Sequence, residues 1–142
     1  MTEQINIFVD NKPGRLCSIT QILSENDINI RAIVINDNEQ SGIIKVLADN
    51  PKKAHYALST NGFACALKPV LAVVVEDKPG GLHSLTKHLC DCGINIIDSY
   101  GFVIHSRKES VLCIEVKEYE ETRKNLENKG YRILKSSELY EL

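Results

Sequence analysis

The stretch NKPGRLCSIT at residues 11–20 returns in outline as DKPGGLHSLT at residues 77–86. Lys12, Pro13, Gly14, Leu16, Ser18 and Thr20, and beyond the quoted stretch Leu23, meet identical residues at an offset of 66, ending on Leu89. Ile28, Asn29 and Ile30 meet Ile94, Asn95 and Ile96 at the same offset, and upstream Ile5, Ile7 and Val9 align with Leu71, Val73 and Val75. Downstream the offset becomes 68: GIIKVLA from Gly42 lies against SVLCIEV from Ser110, and Asn61-Gly62-Phe63 against Lys129-Gly130-Tyr131. A repeat that runs nearly end to end decides the fold, because each copy must form the same supersecondary unit.

Read jointly, the copies agree. Residues 4–9 alternate apolar and polar as a half-buried strand does, and residues 70–75 are more uniformly apolar. Pro13-Gly14 and Pro79-Gly80 end these strands. Leu16, Ile19 and Leu23, like Leu82, Leu85 and Leu89, recur at helical spacing, so a helix follows each turn and ends near Asp27 or Gly93. Hairpins come next, 28–36 with 42–48 and 94–104 with 110–117, joined by the polar turns NDNEQS and HSRKE. Ala54 with Leu58, and Thr122 with Leu126, mark a second, more polar helix closed by Gly62 or Gly130. Short strands at 63–68 and 131–135 complete the copies, with only Lys68-Pro69 between them. The order is β-α-β-β-α-β twice, an α+β class built from two ferredoxin-like units. Each has an antiparallel four-stranded sheet with two helices on one face, over 1–68 and 69–142. A unit of about 65 residues buries only a small core, which predicts that the two pair side by side.

Composition narrows the function. Seventeen Lys and Arg against 19 Asp and Glu leave a net charge of −2 in 142 residues, without the basic field that draws a protein to nucleic acid or an anionic membrane. The opening MTEQINIFVD has no basic leader before an apolar core, and the aliphatic run at 70–75 is far short of the roughly 20 residues of a membrane helix. A soluble, cytoplasmic chain is expected. Five cysteines at irregular spacing predict reduced thiols, with Cys65 and Cys113 acting as small hydrophobes in strand-like surroundings.

No nucleophile-base pair, paired carboxylates or nucleotide loop stands out, and His55, His83, His88 and His105 have no counterparts in the other copy. The chain is therefore read as non-catalytic and without a cofactor. HLCDC gathers His88, Cys90 and Cys92, but residues two apart on a helix point about 200° from each other, so the two cysteines do not clasp one ion. No metal ligand is assigned, and the spacing from Leu89 places Cys92 on the buried stripe.

The turns carry the functional argument. Where a strand passes directly into a helix, the first helix amides point outward with partial positive charge and attract carboxylates or phosphates. Glycine lets a ligand approach the backbone, and Gly81 doubles that permission in the second copy. A plain strand-to-helix turn would also use Pro-Gly. The polar company favours binding: Asn11 and Asp77 stand two residues before the prolines, and Asn29 and Asn95 interrupt aliphatic triplets. Asparagine offers both donor and acceptor, as a zwitterionic amino-acid head group requires. Ile30, Ile33, Ile96, Ile97 and Tyr100 fit either a pocket lining or core packing.

DNKPGRL…INI and EDKPGGL…INI resemble the ACT domain, a small ligand-binding regulatory module of amino-acid metabolism, over nearly all of both halves. The resemblance implies paired modules with a free amino acid at their interface. The turn of one module supplies backbone amides and a polar residue, and the facing module supplies an asparagine. On this chain, one site would join Asn11, Pro13, Gly14, Arg15 and Leu16 with Asn95. The other would join Asp77, Pro79, Gly80, Gly81 and Leu82 with Asn29. Ionised Asp77 only accepts, so unequal occupancy is expected. The family regulates attached catalytic or DNA-binding domains; with none in this sequence, the expected partner is a separate metabolic enzyme or regulator, controlled in trans. A pure ligand buffer, or an interaction or homodimerisation module with vestigial loops, is the alternative.

Overall fold

The computed structural model describes residues 1–10, 12–38, 41–105 and 108–140, apart from the side chains of His105 and Tyr140. Its contacts divide the chain into two compact units, Glu3–Lys68, and Pro69–Leu142 together with Met1–Thr2.

The first unit is built from β1 (Thr2–Val9), α1 (Arg15–Glu25), β2 (Ile30–Asn38), β3 (Ser41–Ala48), α2 (Pro51–Thr60) and the opening of β4 (Ala64–Glu76). Antiparallel β3 lies between β2 and β1, with Ile44 opposite both Ile35 and Ile7, and β4 flanks β1 on its other side. The alternation in β1 turns Ile5 and Ile7 into one cluster with Ile19 and Leu23 of α1 and Ala54 and Leu58 of α2, all fully buried. Each such Ile or Leu contributes about 2 kcal/mol by leaving water. Asn50 caps α2, accepting from the Lys53 amide at 3.1 Å, and Pro51 opens the helix with a φ already suited to it.

The second unit repeats this plan with the body of β4, α3 (Gly81–Asp91), β5 (Ile96–His105), β6 (Glu109–Val116), α4 (Tyr119–Lys129) and β7 (Ile133–Leu134). Strand order is β5-β6-β4-β7, antiparallel throughout. Leu71 and Val73 pack with Leu85 and Leu89 of α3, Ile114 of β6 and Leu126 of α4.

Two element boundaries differ from the sequence reading. Lys68-Pro69 does not interrupt the chain: β4 runs through both residues, which are exposed, and a strand tolerates proline where no ladder donor is needed. The expected strand at 131–135 shrinks to Ile133–Leu134, because the chain winds into a 3-10 helix, Ser136–Tyr140. Glu138 holds that turn by accepting from the Lys135 amide at 3.0 Å, while its own amide donates to the Lys135 carbonyl at 2.9 Å. The tips of both hairpins, 39–40 and 106–107, lie outside the described residues.

The thiols sort by environment. Cys17, Cys90 and Cys92 are exposed, Cys65 is half-buried against the first core, and Cys113 is buried. Cys92 departs from its expected place on the buried stripe: it is exposed at the C-cap of α3, its amide donating to the His88 carbonyl at 3.1 Å. Burial pushes the Cys113 thiol up to about 12, against a hydrogen bond with Tyr100 that acts to lower it. Alkylation at about pH 8 is therefore expected to modify Cys17, Cys90 and Cys92 rapidly and Cys113 only after unfolding. The raised value favours the protonated form in the folded state. Its contribution is fully present below the unfolded thiol's 9.0 and is lost as pH rises through about 12. Denaturation across that interval should show a shallower loss of stability in Cys113→Ala than in the parent chain; parallel losses would contradict this assignment.

Candidate ligand site at the strand-to-helix turns

Both K-P-G turns have one geometry. Proline presets the first central φ, and the following glycine takes the left-handed region, φ 93° at Gly14 and 86° at Gly80. The Arg15 amide donates to the Lys12 carbonyl at 3.1 Å, and the Gly81 amide to the Lys78 carbonyl at 3.0 Å. These are type II turns that deliver the chain directly into α1 and α3.

The same bonds count the amides available to a ligand. The first N–H of each helix is taken by its turn, and Ser18 and Ser84 donate to the Gly14 and Gly80 carbonyls at 2.9 and 3.0 Å. Leu16 and Cys17 in one copy, and Leu82 and His83 in the other, are left at the helix start, where no side chain among the described residues caps them. Two adjacent amides with the helix dipole behind them suit one carboxylate.

Charge separates the copies. Asp10 binds Lys12 at 3.1 Å and Arg15 at 3.2 Å, and hydrogen bonds from Lys12 and then Arg15 hold its carboxyl below the ordinary carboxylate value. At the equivalent turn Glu76 binds Lys78 at 2.6 Å, a contact that raises the lysine's pKa. Residues 10–15 therefore carry one positive charge in excess, and residues 76–81, through Asp77, one negative charge in excess. Arg15 is turned back onto Asp10. The sequence reading missed Asp10 and Glu76 as anchors, although an acid stands two residues before the lysine in both copies.

Gly81 has a reason of its own. A Cβ there would lie 2.0 Å from the Glu76 carbonyl oxygen, and the residue is buried. Its glycine is required by the approach of α3 to the end of β4, a sufficient cause without any ligand.

Asn29 and Asn95 are exposed and follow the first helix of their units. Ile28 and Ile94 donate to the Leu23 and Leu89 carbonyls at 2.9 Å, closing the helices and aiming the chain into β2 and β5. The Asn29 amide donates to the Asp49 carboxylate at 3.1 Å. Asn29 lines a cavity of about 560 Å³ with Ile30 and Asp49; Asn95 lines one of about 480 Å³ with Ile97 and Asn125. At the second turn, Asp77, Lys78 and Leu82 border a cavity of about 290 Å³ with Gly101 and Val103. Ile33 is exposed and Tyr100 half-buried, its phenol pushed upward by burial.

Within either unit, turn and asparagine stand at opposite ends of a helix of 11 residues, ~16 Å long. Neither unit brings its own turn and asparagine together. Pro13, Gly14, Arg15 and Leu16 gather at one turn and Pro79, Gly80, Gly81 and Leu82 at the other, while Asn11 lies outside the described residues. Among the described residues, no three His, Cys, Asp or Glu side chains converge as a metal set, and no helix is long and apolar enough to cross a membrane.

A family model described as an ACT domain pair matches residues 1–142. The crystal structure of protein BT0572 from Bacteroides thetaiotaomicron superposes with a TM-score of 0.91 at 30% identity, covering 99% of this chain and 96% of that one. The ligand-free regulatory subunit of aspartate kinase from Thermus thermophilus aligns with a TM-score of 0.65 at 17% identity over 89% of this chain and 91% of its own. Its counterpart from Thermus flavus gives 0.61 at 17% identity over 88% of each chain. At 17% identity the likeness is one of fold. No curated protein matches the chain.

Proposed function

We propose, on the premise that the chain belongs to the ACT domain pair family, that it is a non-catalytic sensor of a free amino acid. Its two modules, 1–68 and 69–142, would control a metabolic enzyme or regulator in trans. The observation that supports this most directly is the twofold occurrence of a type II turn leaving two helix-start amides, with an exposed asparagine at the opposite end of each unit. A bound amino acid then takes its carboxylate to the amides of one module and its ammonium to an asparagine side-chain oxygen of a facing module. Asn11, Pro13, Gly14, Arg15 and Leu16 pair with Asn95 in one site. Asp77, Pro79, Gly80, Gly81 and Leu82 pair with Asn29 in the other. Arg15 acts in the first by setting the positive field while bound to Asp10. Control of a partner requires that ligand affinity differ between the free and partner-bound states.

A thermal-shift screen of the full chain against the proteinogenic amino acids tests the reading. A ligand at 100 times its dissociation constant is expected to add about 2.7 kcal/mol to stability. A flat response to every amino acid at millimolar concentration would sink the sensor reading and leave an interaction module with vestigial loops.

A further inference from the structure

In the sheet of the second unit, β5 is cut away on its helix side where β2 of the first unit is full. Gly101 lies opposite Leu112 as Ile35 lies opposite Ile44, and Leu112 and Ile44 correspond at the repeat offset of 68. Leu112 and Ile44 each belong to the core of their unit, and directly opposed residues of antiparallel strands share a face, so Gly101 and Ile35 both look toward the helices. Along the same face Ser99 stands where the first unit has Ile33, and Val103 where it has Asp37. One copy therefore carries two isoleucines and an acid on this ledge, the other a serine, a glycine and a valine.

The difference shows beside the turn. Leu82 is 50% exposed, whereas its counterpart Leu16 is half-buried against the first core. With Asp77 and Lys78, the residues Leu82, Gly101, Val103 and Leu112 line the cavity of about 290 Å³ at the second turn, close to the lower bound of about 300 Å³ for small-molecule pockets. Leu82, Val103 and Leu112 give it an apolar wall, and Leu82 also bears one of the two amides left at the start of α3. The backbone does not demand the glycine that opens it. Gly101 has no positive φ, the register is regular from Asp98 to Val103, and a Cβ would meet the Val111 carbonyl oxygen at 3.3 Å and Leu112 Cδ1 at 3.8 Å, which a small adjustment accommodates. A glycine inside a strand weakens it, and marks a place where something approaches closely.

Resting on the reading that this turn holds a free amino acid, we infer that the groove over Gly101 receives the ligand's side chain and selects an apolar one of about leucine's size. The carboxylate on the Leu82 and His83 amides sets the α-carbon at the turn, and the side chain then lies over Gly101 against Leu82, Val103 and Leu112. An apolar side chain removes water from Leu82 and Val103, which are 50% and 54% exposed. A charged one loses hydration on that wall without gaining a partner. The first turn, with Ile35 and Asp37 at the equivalent positions, makes no such selection.

The test is NMR titration of the isotopically labelled full chain with leucine, alanine and aspartate, because the amides of Leu82 and His83 report the second turn and those of Leu16 and Cys17 the first. At the second turn leucine should bind at least about tenfold more tightly than alanine or aspartate; at the first turn that preference should be missing. Gly101→Ile and Val103→Asp install what the sister unit carries, and each should bring leucine down to alanine's affinity at the second turn. Val103 is exposed, so its substitution tests the groove even if Gly101→Ile disturbs the pairing of β5. Equal affinities for leucine and alanine at Leu82 and His83, the same preference at Leu16 and Cys17, or a preference that survives both substitutions would overturn the groove while leaving amino-acid binding in place. No shift at either turn with any of the three at millimolar concentration, together with a flat thermal-shift screen, would instead remove the sensor reading and this inference with it.

Discussion

Gly81→Ala is expected to destabilise the second unit by about 3 kcal/mol, enough to populate its unfolded form under mild denaturant. The added methyl would stand 2.0 Å from the Glu76 carbonyl oxygen, with the carbonyl carbon at 3.1 Å. Both obstacles are backbone, and that carbonyl already accepts from the Lys78 amide at 3.0 Å, so relief means moving α3 off β4 and disturbing the turn. Leu85 and Leu89 on α3 would be drawn away from Leu71 and Val73. The control is Arg15→Gly at the equivalent first position, where a side chain is already accommodated; it should change stability little. Urea denaturation of both variants decides the matter, and a shift below half a kcal/mol for Gly81→Ala would show that the helix retreats at little cost.

Unequal occupancy of the two proposed sites is the second large effect expected. If the first turn, with its excess positive charge, takes the carboxylate, Asn11→Ala or Asn95→Ala should weaken the best amino-acid ligand by about 10- to 100-fold, the loss of a charge-assisted hydrogen bond. Asp77→Ala and Asn29→Ala should leave that tight phase nearly unchanged. Asp77→Asn should strengthen binding at the second turn, because an acceptor-only group beside the carboxylate becomes a donor. Calorimetric titration resolves the two phases. Sensitivity confined to Asp77 and Asn29 would assign the dominant site to the other turn; equal sensitivity of all four would remove the asymmetry.

Much of this was legible in local sequence. Proline fixes its own φ and glycine alone takes the left-handed φ readily, so K-P-G announces its turn. The periods of Ile5, Ile7, Val9 and of Leu16, Ile19, Leu23 announce a strand and a helix. Those signals act over a few residues, which is why the repeated order of elements could be read directly. The continuity of β4 through Pro69 and the short β7 could not, since both depend on which backbone donors find partners.

By itself, then, the sequence determined the double β-α-β-β-α-β plan and the place of both Pro-Gly turns between a strand and a helix. Only the tertiary structure decided that Gly81 is demanded by the Glu76 carbonyl, that Arg15 is held by Asp10, and that Cys92 leaves the buried stripe to meet His88 and Asn125. The reason is physical. Turns and periodicity are short-range properties of the chain, whereas His88 and Asn125 are 37 positions apart and meet only once two helices have packed.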